Sequence, residues 1–162
     1  MKKIKLFIVA SLMLSLLVFG KSVSVKSAPT EDEKAVRTVV ELHLHALKTG
    51  NEKALKSLWI ASANKLTVTS TTSAHKKANR QSLYSEPVAD AIKRWVKSPD
   101  KNASLTSFDI VYMDQKVAFL KVKINWKGSV LNETLQLIKM GKTWKLAQKT
   151  VFVAQKEMSS PY

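Results

Sequence analysis

The sequence predicts an α+β fold, with helices gathered in the N-terminal part and a twisted antiparallel sheet in the last third. From Lys116 to Trp126, the residues Ala118, Leu120, Val122, Ile124 and Trp126 take one parity; Lys121, Lys123 and Asn125 take the other, with Val117 and Phe119. A period of two puts successive side chains on opposite faces, which defines a strand. The alternation resumes over residues 130–140 and 143–153, with breaks at Lys127-Gly128-Ser129 and Met140-Gly141-Lys142. Glycine in such a break supplies the positive φ of a tight hairpin. Upstream the apolar period lengthens to that of a helix, and segregation of helices from strands in this way predicts α+β architecture.

The elements follow in order. Thr30 is placed to cap a first helix, with Glu31, Asp32 and Glu33 in the turn where the helix dipole favours carboxylates and Glu33 at capping-box spacing. Val36, Val39, Val40, His43, Ala46 and Leu47 share one face of this helix, while Lys34, Arg37, Glu41, His45 and Lys48 lie opposite. Gly50 ends it as a left-handed cap. A second helix is expected over residues 52–59, burying Ala54, Leu55, Leu58 and Trp59. The β-branched run 65–71 predicts a short, edge-like strand with Leu66 and Val68 toward the core. Residues 72–83 are polar and carry no assignment. Ser85 is expected to cap a third helix, with Glu86 and Pro87 in its first turn and Val88, Ala91, Ile92, Trp95 and Val96 as its buried stripe. Ser98-Pro99-Asp100 stops it. The first strand of the meander runs near residues 105–112 and turns at Met113-Asp114-Gln115.

Ahead of the domain, Lys2, Lys3 and Lys5 precede an uncharged apolar run from Leu6 to Gly20, followed by small residues. This is the pattern of a secretory signal peptide, expected over residues 1–28, which leaves a single domain over residues 29–162 exported to the periplasm or extracellular space. The run is shorter than the roughly 20 apolar residues that cross a bilayer, so no stable span is expected after cleavage. The chain has no cysteine, which excludes a lipoprotein anchor, disulfides and a thiol nucleophile. Its formal charge is +15, from 27 basic and 12 acidic residues. Five of the lysines belong to the leader. The remaining surplus could attract an anionic polymer, but its lysines are dispersed along strands and helix backs, which favours simple solubility. Aromatic residues do not interleave with them as single-stranded nucleic acid would require, so nucleic acid is not an expected partner.

The helix running into "ALKTGNEKALKSLW", the strand "KLTVTS" and the closing "LNETLQLIKMGKTWKLAQKTVF" resemble the nuclear transport factor 2-like superfamily, and within it the lumazine-binding group. The resemblance covers residues 31–153, and its most specific element is the hairpin Gly141-Lys142-Thr143-Trp144-Lys145-Leu146. It implies a strongly curved antiparallel sheet, of the kind also called cystatin-like, wrapped around the N-terminal helices as a cone with an internal pocket. It transfers no catalytic residue, because this superfamily contains enzymes, binding proteins and adaptor domains alike.

If the parity of Trp144 and Leu146 faces the pocket, then Thr134, Gln136, Gln148 and Thr150 line it among Ile138, Leu146 and Phe152, with Gln136 opposite Gln148 and Thr134 opposite Thr150. Asn132 and Trp126 lie toward one end. His43, central in the apolar stripe of the first helix, is expected to point at the same cavity, either as a core histidine or as the base of a cofactor-free isomerase or dehydratase. His43 and His45 are two residues apart and cannot grip one metal from one helix, so no metal is expected, and no cofactor. The inner parities of the last two strands carry no carboxylate on this reading, with Glu133 outside, which weakens the enzyme alternative. The outer sheet face then joins Val117, Phe119, Leu135, Leu137 and Val151 to Lys121, Lys123, Lys139, Lys145 and Lys149. An apolar centre with a charged rim predicts a homodimer interface, or alternatively a basic surface for an anionic envelope polymer. The leading expectation is an exported, non-catalytic domain that binds a small apolar or aromatic ligand or acts as a dimeric module.

Overall fold

The computed structural model describes residues 28–72 and 79–156. The expected signal peptide lies outside the described residues but for its last position. Helix α1 (Glu31–Thr49) begins with the anticipated capping box: Thr30 Oγ1 accepts from the Glu33 amide at 3.2 Å, and Glu33 Oε2 accepts from the Thr30 amide at 2.6 Å. Its stripe of Val36, Val39, Val40, His43, Leu44, Ala46 and Leu47 is buried. Gly50 closes the helix at φ 63°, and α2 (Glu52–Leu58) starts at once from Asn51, whose Oδ1 accepts from the Ala54 amide at 3.0 Å. Trp59 lies just past that helix and opens the first strand.

Strands β1 (Trp59–Thr72) and β2 (Asn79–Pro87) precede α3 (Val88–Lys97); β3 (Ser104–Met113), β4 (Val117–Trp126), β5 (Ser129–Met140) and β6 (Thr143–Lys156) follow it. They form one six-stranded sheet in the order β2-β1-β6-β5-β4-β3. The sheet is mixed rather than wholly antiparallel, because β1 pairs with β6 in parallel. The run expected as a short edge strand is therefore a long interior one, and residues 79–87 supply the edge beyond it. Ser85 and Glu86 are in β2, and α3 starts after Pro87 without a side-chain cap.

One face of the sheet is packed against the helices. Ala118, Leu120, Val122 and Ile124 of β4, Leu135 and Leu137 of β5, and Trp144 and Leu146 of β6 form a single core with Val36, Val40 and Leu47 of α1, Leu55 of α2 and Ile92 of α3. The N-terminus of α1 is fastened to the closing hairpin. Lys139 Nζ lies 2.6 Å from Asp32 Oδ1, and Trp144 Nε1 donates to the same oxygen at 3.1 Å. Hydrogen bonding from Lys139 and then Trp144 holds the Asp32 carboxyl below its usual range.

Between Gln136 and Leu137 the β5–β6 register shifts, and Ala147 is the extra residue on β6: Leu137 faces Leu146, but Gln136 faces Gln148. A bulge of this kind reverses facing along the strand that carries it. Before it, Trp144 and Leu146 are buried; after it, Lys149 and Val151 are. This corrects the continuous parity assumed for β6. The same correction turns Lys65 and Thr67 of β1 inward in place of Leu66 and Val68, since Lys65 registers with Lys149 and Thr67 with Val151.

A Cβ on Gly50 would meet the Val96 carbonyl oxygen at 3.2 Å, at a backbone conformation that L-residues disfavour. Gly50→Ala is expected to lower the unfolding free energy by about 1–2 kcal/mol, read as a fall in the urea midpoint with unchanged slope; an unchanged midpoint would contradict the strained-cap assignment.

Candidate functional site

A cavity of about 230 Å³ lies between α3, β1 and the part of the β4–β6 sheet remote from the Gly141 hairpin. Its apolar walls include Trp95, Ile124, Trp126, Leu131, Val151 and Val153; Lys65, Thr67, Glu133 and Lys149 are its polar lining. The bulge at Ala147 brings Lys149 here, and β5 brings Glu133 on the parity of Leu131 and Leu135.

The charges are paired and almost sealed from water. Lys149 Nζ lies 2.7 Å from Glu133 Oε1, with side chains only 5% and 1% exposed, and 5.3 Å from the centroid of the Trp95 ring. Glu133 Oε2 is buried without a hydrogen-bond partner among the described residues. On the adjacent strands Lys65 Nζ donates to Glu86 Oε1 at 3.0 Å and to Thr67 Oγ1 at 3.1 Å, and Arg94 of α3 pairs with the other oxygen of Glu86. Burial pushes the Glu86 carboxyl up, but hydrogen bonds from Arg94 and Lys65 outweigh it, so the group stays below its ordinary value and ionised.

His43 is fully buried behind this wall rather than on it. Its ring packs edge-on against Trp59 and Trp95, with centroids 5.4 and 5.8 Å away, and neither ring nitrogen has a hydrogen-bond partner among the described residues. Desolvation, followed by the charge of Lys149, holds its pKa well below the usual histidine value, so the ring is neutral. Among the described residues no carboxylate lies within hydrogen-bonding reach of His43, where a base role would place one. No group of three or more His, Asp or Glu side chains that could hold a metal ion occurs among the described residues, and no helix among them is long and apolar enough to cross a membrane.

The sequence-expected residues divide. Trp126 lines the cavity. Thr134, Gln136, Gln148 and Thr150 do come together in the expected register, but on the outer face of the sheet, around a shallow depression with Val111 and Phe119. Asn132 is exposed on that face too. Leu135 and Leu137, expected outside, are core residues at 1% and 0% exposure, whereas Phe119 is 43% exposed and Val117 is half-buried. Glu133 and Lys149 move from the outer face to the interior, and Lys139 leaves the outer rim for its bond with Asp32. The row of lysines expected along the sheet is thereby broken, because Lys149 points inward and Lys145 donates to the Ser57 carbonyl, leaving Lys121 and Lys123 exposed on β4. The signal for the interior charges was present: the apolar parity of β6 changes from Trp144 and Leu146 to Val151 and Val153, which requires one inserted residue between them.

His43 binds no proton in the folded state at a pH where the unfolded chain does. Its contribution to stability is therefore complete above the unfolded pKa of about 6.5 and declines below it, by up to roughly 1.4 kcal/mol per pH unit. The ionised Asp32 and Glu86 lose their contributions only at lower pH, where ordinary carboxylates protonate. Urea unfolding at pH 7.5 and pH 5.0 should show wild type weakened at the lower pH by roughly 2 kcal/mol. His43→Leu should flatten this difference and be more stable at pH 7.5, having no orphaned ring nitrogens; an equally steep variant would refute the assignment.

The comparisons with known proteins agree with this fold. The family model described as "Putative lumazine-binding" matches residues 31–152. Among solved structures, an NTF-2-like protein of unknown function from Silicibacter pomeroyi is 16% identical, covers 77% of this chain and 98% of its own, and superposes with a TM-score of 0.57. An NTF2-like protein from Cytophaga hutchinsonii is 10% identical, with 76% and 99% coverage and a TM-score of 0.59. An uncharacterized protein with a cystatin-like fold from Caulobacter vibrioides is also 10% identical, with 78% and 92% coverage and a TM-score of 0.54. At these identities the likeness is one of fold. No curated protein matches the chain.

Proposed function

Because the chain belongs to the lumazine-binding-like group of the nuclear transport factor 2-like superfamily, we propose that it is an exported, non-catalytic domain that holds a small, flat, largely apolar molecule in its internal cavity. The observation that carries this reading is the cavity itself: tryptophan walls at Trp95 and Trp126, aliphatic walls at Ile124, Leu131 and Val151, and polar groups confined to one end. Such a lining, mostly apolar with a few oriented polar groups, is what small-molecule sites have in common. A volume of about 230 Å³ falls below the roughly 300–1,000 Å³ typical of pockets for drug-sized ligands, which limits the guest to about one or two fused rings. Export is supported by the basic, apolar leader.

Lumazine and related bicyclic heteroaromatics are the first probes. At a hundredfold excess over Kd, a ligand that binds only the folded state adds about 2.7 kcal/mol of stability, visible as an upward shift of the melting temperature. Leu131→Trp is expected to fill the cavity and abolish the shift while leaving the ligand-free protein folded. A shift that persists undiminished in this variant would place binding elsewhere, and no shift with any bicyclic probe would remove the reading.

The outer face favours a second property of the same domain. Val111, Tyr112, Phe119 and Phe152 are between 43% and 58% exposed, and the amides and hydroxyls of Gln136, Gln148, Thr134 and Thr150 lie beside them. Exposed aromatic and aliphatic groups around adaptable amides suit a self-complementary interface with a second copy of the chain. Phe119→Lys is expected to convert a dimer into a monomer by light scattering; a wild type that is already monomeric would exclude it.

A further inference from the structure

The polar end of the cavity has an unequal set of charges. The parallel register places Lys65 of β1 directly opposite Lys149 of β6, and both side chains line the cavity. Neighbouring strands are about 4.8 Å apart, so two ammonium stems enter the same small space side by side. Each has one carboxylate: Glu86 for Lys65 at 3.0 Å, and Glu133 for Lys149 at 2.7 Å. Glu86, however, lies outside the cavity lining and is shared with the half-exposed Arg94, so the lining itself carries two ammonium groups and one carboxylate, Glu133. His43, neutral behind Trp95, does not alter that balance.

The hydrogen-bond inventory points the same way. An ammonium has three donors. Among the described residues Lys65 uses two, on Glu86 and Thr67, and the carboxylate partner of Lys149 is Glu133, which leaves donors from both lysines for a guest. The walls beside them are apolar and aromatic, where an unneutralised charge is costly and a charge-assisted hydrogen bond is strong.

We infer that the cavity selects a monoanion: a small aryl or heteroaryl acid whose flat body lies among Trp95, Trp126 and Leu131 and whose carboxylate, or equivalent acidic oxygen, sits between the ammonium groups of Lys65 and Lys149. This rests on the ligand-binding reading of the cavity and adds the charge of the ligand to it. The competing arrangement is a neutral guest that donates an N–H to the unpartnered Oε2 of Glu133.

The two arrangements separate with a matched pair of probes, 2-naphthoate and 2-naphthamide, which share size and shape and differ in charge and in the N–H. Titration calorimetry on the mature protein at pH 7, with quenching of tryptophan fluorescence as a second readout, is expected to show naphthoate binding at least tenfold tighter. Lys65→Met leaves Glu86 its Arg94 partner, and should reduce naphthoate affinity to the level of naphthamide while leaving naphthamide unchanged. Lys65→Arg should restore the preference. Melting of each ligand-free variant establishes that it is folded; should Lys65→Met fail to fold, the wild-type pair and Lys65→Arg decide the matter. Naphthamide binding as tightly as naphthoate, or tighter, would overturn the anion selection and leave the pocket standing. If neither probe binds the folded wild type, the pocket reading falls, and the anion inference with it.

Discussion

The arrangement inside the sheet depends on a single inserted residue, Ala147. A strand that ran without interruption from Trp144 to Val153 would bury one parity throughout, and Gln148, Thr150 and Phe152 would then follow Trp144 and Leu146 into the interior. With Ala147 bulged out of register opposite the Gln136–Leu137 step, one strand serves two environments. Its first half supplies Trp144 and Leu146 to a dry core, and its second half supplies Lys149, Val151 and Val153 to a cavity. Bulges also bend and twist the strand that carries them, which suits a sheet that must curl around helices. The parallel neighbour β1 takes its facing from the second half, so the bulge decides the orientation of Lys65 as well.

The energetics around the cavity differ from those of the core. Where Leu120, Leu135, Leu137 and Leu146 meet α1, burial is apolar and self-consistent. At the other end sit the buried Glu133–Lys149 pair and the four buried side-chain atoms that have no partner among the described residues, His43 Nδ1 and Nε2, Trp59 Nε1 and Glu133 Oε2. A buried ion pair is seldom more stabilising than apolar residues of the same volume, although removing one member costs about 3–5 kcal/mol. Orphaned buried polar atoms each cost about 1–3 kcal/mol. Their concentration in and behind one wall, among Trp59, Trp95 and β5, marks the region where the chain departs from the rules followed elsewhere, as functional regions do.

Much of the architecture was legible in the sequence because local rules act there without competition. Thr30 with Glu33, Gly50, Asn51 and the tight turns at Gly128 and Gly141 each fix a boundary through hydrogen bonds within a few residues. The amphipathic stripe of α1 and the alternation of β4 are continuous, and their buried faces follow directly. The interior of the site was harder to read, since it depends on relations between distant segments. The pairing of Gln136 with Gln148 and Thr134 with Thr150 could be counted from the hairpin, but the face they occupy depends on a bulge whose trace is only a change of phase between Leu146 and Val151. Lys65 and Glu86 carried no signal of their own: a lysine in a β-branched run and a glutamate before a proline read as surface residues until β1 is known to lie beside β6. Glu133 reads as outward when the parity of Trp144 and Leu146 is carried unbroken through Gln148 and Thr150 to β5, although Leu131, Leu135 and Leu137 share its parity and mark it as a buried face.

The parallel pairing of β1 with β6 also dictates the order in which the molecule can assemble. β3 to β6 are joined by short turns and can zip together locally, each hairpin closing only a small loop. β1 has no such neighbour on that side; it must wait for the last strand of the chain to be in place, with α3 and the whole meander intervening. Contacts between segments so far apart in sequence bear the largest loop-closure entropy and form late. Lys65 and Lys149, and with them the polar end of the cavity, therefore come together only when β1 pairs with β6. A chain in which β1 has not met β6 has no such site, so any molecule that binds there recognises the paired strands alone and acts as a clasp on that seam.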